Sequence, residues 1–127
     1  MKLLKRNELE SVILPGRAIQ KAVGKDGPSV SGKMTVGFAH YSVESGPMEP
    51  HNHAEEVCYI VDAKDGWVRC GPEKDQLGEK TPLEAGMTMH NPHLEWHVFG
   101  YEEGGFVDIV FIYGQVDNIR PEEMMNE

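Results

Sequence analysis

Glycine and proline interrupt this chain so often that no long helix fits between them. Pro15-Gly16, Gly24, Gly27-Pro28, Gly46-Pro47, Gly66, Gly71-Pro72, Gly78, Gly86 and Gly104-Gly105 fall at short intervals. Both residue types are costly inside a helix. The pieces between them, 33–43, 56–61, 66–70, 95–99 and 106–113, are short and rich in Val, Ile, Tyr, Phe and Thr. Short β-prone segments at this spacing predict an all-β sandwich or barrel rather than alternating strands and helices. Helix is expected only as a turn or two in 3–12 and again after Pro121.

A chain of 127 residues with 39% hydrophobic and 26% charged residues can bury an ordinary core as one domain. No apolar run approaches the roughly 20 residues that cross a bilayer, so no membrane partner is expected. The basic start of the chain, Lys2, Lys5 and Arg6, has no apolar stretch behind it, which argues against a secretory signal. The two cysteines, Cys58 and Cys70, form neither a CxxC motif nor a disulfide framework. A reducing cytoplasm is the expected location. The net charge of −9 argues against nucleic acid, whose partners present basic surface.

One strand carries a charge in an unusual place. If Glu56 faces inward, alternation takes Cys58 and Ile60 with it and sends Val57, Tyr59 and Val61 to the other face. Both faces are then apolar, as expected for a sheet covered on both sides. An inward carboxylate at the head of such a strand is costly unless its charge is compensated, and a bound cation would do so.

Five of the six histidines fall in two short clusters. In the first, Gly46-Pro47-Met48-Glu49-Pro50-His51-Asn52-His53-Ala54-Glu55-Glu56, His51 and His53 share one face of an extended chain about 7 Å apart. Two imidazoles and a nearby carboxylate form a common ligand set for catalytic transition metals. An isolated HxH is also what a solvated surface pair looks like. The second cluster reads Gly86-Met87-Thr88-Met89-His90-Asn91-Pro92-His93-Leu94-Glu95-Trp96-His97.

Together the two clusters resemble the paired motifs of the cupin superfamily. Gly46, His51, His53 and Glu56 match the first motif; Gly86, Pro92 and His97 match the second with its spacing intact. The resemblance covers 46–99. It implies a double-stranded β-helix, a jelly-roll-type antiparallel barrel, in a single domain over 1–127. Strands in 12–43 would precede the motif core, and a strand at 106–113 and a tail would follow it. It also implies a divalent transition metal (Zn, Mn, Fe, Ni or Co) held by His51, His53, Glu56 and His97.

The match has departures. Only Ala54 and Glu55 separate His53 from Glu56, one or two residues fewer than the motif usually has. Simple alternation from the histidines selects Glu55, whereas the motif-like run from Glu55 to Val61 selects Glu56. The later glycine of the first motif is displaced to Gly66, which implies a lengthened hairpin through 62–65. Leu94 and Tyr101 stand where the second motif usually has glycine and asparagine.

Around these ligands, strand parity puts Glu95 on the face of His97, making it a candidate general base; His93 is a second candidate. His40, His90, Cys58, Arg69 and Tyr113 are residues whose facing the sequence leaves open. In this family such sites serve isomerases, epimerases and lyases of sugars and sugar acids, as well as dioxygenases. The expected function is a metal-dependent enzyme of the isomerase, epimerase or lyase type, acting on a small sugar, sugar acid or oxo-acid. An Fe(II) dioxygenase and a non-enzymatic small-molecule-binding protein are the alternatives. A homodimer is expected, with 17–23 extending a partner's sheet.

Overall fold

A computed structural model describes residues 1–120 and Glu123. The expected turns after Pro121 therefore lie outside the described residues. A 3-10 turn at Arg6–Glu8 leads into β1 (Val12–Leu14), β2 (Arg17–Gly24), β3 (Ser29–Val30) and β4 (Thr35–Tyr41). A second 3-10 turn, Val43–Ser45, precedes β5 (Glu56–Gly71), β6 (Thr81–Pro82), β7 (Thr88–Asn91) and β8 (Trp96–Tyr113). The strands are ordered β1-β2-β4-β8-β5-β6, with β3 added to β2 and β7 to β5. Every pairing is antiparallel except the two-residue contact of β3. The architecture is the antiparallel β-barrel expected.

β5 and β8 organise it. They pair from Glu56 opposite Tyr113 to Gly71 opposite Trp96, with register shifts between Ile60 and Asp62 and between Lys64 and Gly66. Residues 62–65 are thus not a hairpin, and 96–99 and 106–113 belong to one strand. The Asp- and Gly-rich stretches mark corners, where bulges bend a strand without ending it. Asp65 and Gly104 take the positive φ values these corners need, 49° and 79°.

Inside the barrel, alternation works as the pattern requires. Thr35, Gly37, Ala39 and Tyr41 of β4 are buried, as are Glu56, Cys58 and Ile60 of β5 and Val107, Ile109, Phe111 and Tyr113 of β8. Gly37 is small by necessity, because an added Cβ would lie 2.6 Å from both the Gln20 carbonyl and the Phe111 ring. The outer face of β5 corrects an expectation: Val57, Tyr59 and Val61 are exposed, so this sheet is covered on one side only.

The N-terminal segment folds back onto the outer face of the barrel. Arg6 grips Asp108 of β8 with two hydrogen bonds of 2.6 Å, lies 4.5 Å from the Phe38 ring centre, and reaches Gln20. His40 Nδ1 adds a third bond to Asp108, at 2.9 Å. Burial alone would raise the Asp108 carboxyl, but the Arg6 and His40 hydrogen bonds outweigh it and hold the pKa below its ordinary value. β2, expected to add to a partner's sheet, is paired with β4 on one side and, on the other, with β1 at Arg17–Ile19 and β3 at Val23–Gly24, which leaves only residues 20–22 without a strand neighbour there.

Candidate metal centre

Backbone hydrogen bonds join the two histidine clusters. His51 and His97 exchange both main-chain hydrogen bonds, at 3.0 and 2.9 Å, which sets the first cluster against the start of β8. Leu94 N–H donates to the His53 carbonyl at 2.9 Å, and Asn52 Nδ2 to the Leu94 carbonyl at 3.2 Å. These bonds turn His51, His53 and His97 into the barrel, with ring centres 4.5–5.2 Å apart.

The outer nitrogens of the rings are all engaged by the backbone. His51 Nδ1 bonds the Glu49 carbonyl at 3.1 Å, His53 Nδ1 that of Ala54 at 2.7 Å, and His97 Nδ1 that of Glu95 at 3.1 Å. A carbonyl can only accept, so each Nδ1 carries the proton and each Nε2 presents a lone pair. Such partners orient the rings of metal-binding histidines. One nitrogen from each ring lies within 4.8 Å of the others, close to the spread that bonds of about 2.0–2.1 Å can bridge. Burial lowers the pKa of His51 to about 3 and of His97 to about 4, with help from the neighbouring imidazoles. Both are neutral at physiological pH, the state a metal ion requires. The donor set therefore fits a divalent transition metal.

Glu56 is the buried carboxylate of the site, and Glu55 faces solvent, bonded to His90 at 2.7 Å. The chain turns at Ala54, whose N–H is held by the Ile119 carbonyl at 3.1 Å, and this breaks the alternation that would have brought Glu55 inward. Glu56 lies 3.6 Å from His53 Nε2 and accepts a 2.8 Å hydrogen bond from buried Asn91 on β7. The Tyr113 hydroxyl and the Cys58 thiol face it too. Burial first, and then the Glu56 charge, push the pKa of both well above the ordinary values. Both stay protonated, and Tyr113 remains a hydrogen-bond donor.

The histidines line a cavity of about 170 Å³ together with Arg17, Tyr41, Met48, Glu56, Phe111 and Tyr113 among others. Glu95 and His93 are not among its lining residues. Parity from His97 fails for Glu95 because β8 begins only at Trp96 and Leu94 takes a positive φ of 65°. The Glu95 carboxylate instead neighbours the Cys70 thiol, whose pKa is raised by burial and then by that charge. Arg69 bonds the Gly78 and Leu77 carbonyls, His40 belongs to the Asp108 network, and Cys58 packs in the core. Of the two strand neighbours that alternation sends to opposite faces, Tyr41 lines the cavity and His40 does not, whereas Arg17 and Asn91 escaped the sequence reading. Arg17 left one trace, a charge alternating in phase with apolar Ile19.

No family model and no curated protein matches the sequence. Solved structures do match. A protein from Planctomyces limnophilus superposes with a TM-score of 0.70 at 18% identity, over 92% of this chain and 91% of that one. The polyketide cyclase RemF from Streptomyces resistomycificus gives 0.66 at 19%, over 88% and 78%. Fe(II)-HppE with an alternative substrate gives 0.66 at 10%, over 89% and 60%. At these identities the likeness establishes a shared fold.

Proposed function

We propose that this chain, a cupin by its fold, is a metal-dependent enzyme of isomerase, epimerase or lyase type acting on a small sugar, sugar acid or oxo-acid. The observation that carries the reading is the convergence of three imidazoles whose Nδ1–H groups are all tied to backbone carbonyls, leaving three lone pairs under one cavity. His51, His53 and His97 would hold the ion, with Glu56 as its carboxylate neighbour. Such an ion supplies Lewis acidity to a carbonyl or hydroxyl oxygen.

The protein's own groups do the rest. Asn91 fixes Glu56 in place, and Tyr113 and Tyr41 present neutral hydroxyls that can orient a substrate oxygen. Proton handling is assigned to Glu56 and Tyr113, which line the cavity, ahead of Glu95 and His93, which do not. Phe111 and Met48 make the walls partly apolar and help exclude water.

The test is an NMR panel of aldoses, ketoses, uronic acids and oxo-acids in D₂O, run without oxygen on protein loaded with Mn²⁺, Co²⁺ or Zn²⁺. Exchange of a carbon-bound proton or conversion of a panel member supports the reading. Turnover only with Fe²⁺ and oxygen would replace it with the oxygenase reading, which the Fe(II) in one structural neighbour favours. Thermal stabilisation by a ligand without turnover would replace it with a binding protein.

Two further features belong to the same proposal. Two-fold self-association is supported by the exposed apolar row Val57, Tyr59, Val61 and Ile112 on one outer face. Light scattering at twice the 14.2 kDa chain mass tests it. A reducing cytoplasm suits two free thiols, and no helix among the described residues is long and apolar enough to cross a membrane.

A further inference from the structure

The cavity at the histidines changes character with burial. Of its acidic and basic lining residues other than the histidines, only Glu56 is buried; the rest are half-buried or exposed. Among those, Lys25 pairs with Asp117 at 2.8 Å and Arg120 with Glu123 at 3.4 Å. The buried part of the wall is of another kind, built by Thr35, Ala39, Tyr41, Phe111, Tyr113 and Ile119. Strand pairing sets it out: Thr35 stands opposite Tyr113 and Gly37 opposite Phe111 on the inner faces of β4 and β8. Gly37 has no side chain, and the Phe111 ring occupies that space, 2.6 Å from where a Cβ would be. The Tyr41 ring packs on Phe99, with centres 4.7 Å apart. This wall is apolar and largely aromatic.

The polar groups of the buried wall are mostly spoken for. Thr35 Oγ1 donates to the Gln115 carbonyl at 2.8 Å, and the Tyr113 hydroxyl faces Glu56. Tyr41 differs. It is 7% exposed, yet its hydroxyl has no hydrogen-bond partner among the described residues. Tyrosine hydroxyls in such places usually find one. Nor is this hydroxyl sealed in: Trp67 Nε1 is the sole sealed side-chain polar atom without a partner among the described residues. The Tyr41 hydroxyl therefore opens onto the cavity that Tyr41 lines, and burial keeps it protonated as a donor.

A polyol matches this wall poorly. Each of its hydroxyls loses water on entry and needs a partner in return, and the buried wall offers one open hydroxyl. An apolar body gains from the same wall. We propose that the substrate is a small 2-oxo acid with a flat apolar body, of the aryl 2-oxo acid class, whose body packs on Ala39 and Phe111 and whose head group accepts a hydrogen bond from Tyr41. This rests on the proposed function above and narrows it to oxo-acids, away from sugars and sugar acids. A cavity of about 170 Å³ is smaller than the sites that take drug-sized molecules, and suits a single ring with a short head group. Tyr41 reads the oxygen end of the ligand, and Ala39 and Phe111 read its body.

The experiment is calorimetric titration of Zn²⁺-loaded protein with benzoylformate, pyruvate and xylonate, with bound zinc measured in every sample. Benzoylformate has no hydrogen on the carbon next to its oxo group, so it reports binding alone. Pyruvate shares its head group without the ring, and xylonate carries the same charge on a polyol body. Benzoylformate is expected to bind at least about tenfold more tightly than either, the scale of burying a ring-sized apolar surface. Tyr41→Phe keeps the ring and should weaken benzoylformate and pyruvate by the same factor, about three- to tenfold, with bound zinc unchanged. Ala39→Leu fills the space for the body and should abolish the preference for benzoylformate over pyruvate. Xylonate or pyruvate binding as tightly as benzoylformate would overturn the proposal, as would failure of all three to bind. So would wild-type affinity in Tyr41→Phe; if Ala39→Leu fails to fold, the wild-type ranking and Tyr41→Phe decide. A chain that takes up no zinc, yet ranks benzoylformate above xylonate, would instead sink the metal-centre reading alone.

Discussion

Replacing Glu56 by Gln should affect the protein in opposite directions with and without metal. Glu56 is 5% exposed, receives one hydrogen bond from Asn91 at 2.8 Å, and sits 3.6 Å from His53 Nε2. Without an ion, its charge is buried with no metal to compensate it. Gln keeps the volume and an acceptor for Asn91 while removing that charge. Relief of a partly compensated buried charge is expected to raise metal-free stability by about 1–2 kcal/mol, or roughly 3–8 °C in Tm for a domain of this size. With metal the sign reverses. Loss of the anionic neighbour should weaken metal binding about 10–100-fold, which is about 1.4–2.7 kcal/mol. At saturating Zn²⁺ or Mn²⁺, the metal-induced stabilisation falls by that amount, roughly 5–10 °C. Differential scanning calorimetry of both proteins, with and without metal, reads all four numbers. A lower metal-free Tm together with an undiminished metal-induced rise would refute the reasoning. Glu56 would then be only a polar hub for Asn91, Tyr113 and Cys58.

Three further outcomes are expected. Asp108→Asn disconnects both Arg6 and His40; urea unfolding should show a loss of about 2–3 kcal/mol, less than for a fully buried pair because Arg6 is a third exposed. Gly37→Ala places a Cβ 2.6 Å from the Phe111 ring and the Gln20 carbonyl and should cost about 1–3 kcal/mol in the same assay. Metal-free protein should lose stability as pH falls below about 6.5, where unfolded histidines take up protons that folded His97 and His51 resist down to about 4 and about 3. The Asp108 network extends that loss further: its carboxyl is depressed, so its stabilisation persists above the ordinary pKa of 3.8 and disappears as pH drops through the folded value. A stability flat between pH 7 and 4 would contradict the neutral-histidine assignment.

The three-histidine group was legible because its spacing is local. His51 and His53 are two residues apart, and the Gly86, Pro92 and His97 pattern lies in one turn and strand start, so a short window contains the information. The barrel was legible from its punctuation, but its corners were not. Asp62, Asp65, Gly66, Gly104 and Gly105 read as chain reversals, whereas the ladder continues past them through bulges. Arg17 and Asn91 were invisible because their facing depends on which distant strands pair. Asn91 meets Glu56 only because β7 lies antiparallel to β5. Glu95 shows the opposite failure: parity from His97 is sound inside a strand and ends at the left-handed Leu94. The choice of Glu56 over Glu55 turned on one hydrogen bond, from Ala54 N–H to Ile119, far along the chain.

Metal content tests the central claim most directly. Protein purified without a metal-affinity tag, analysed by elemental mass spectrometry, should carry or take up about one divalent transition-metal ion per chain, the capacity of a single His-lined centre. His51→Ala, His53→Ala and His97→Ala should each abolish most of it, and His90→Ala, whose ring is bonded to Glu55 at the surface, should retain it. A wild-type chain that takes up no Zn²⁺, Mn²⁺, Co²⁺, Ni²⁺ or Fe²⁺, or a His97→Ala chain that binds as the wild type does, would contradict the account.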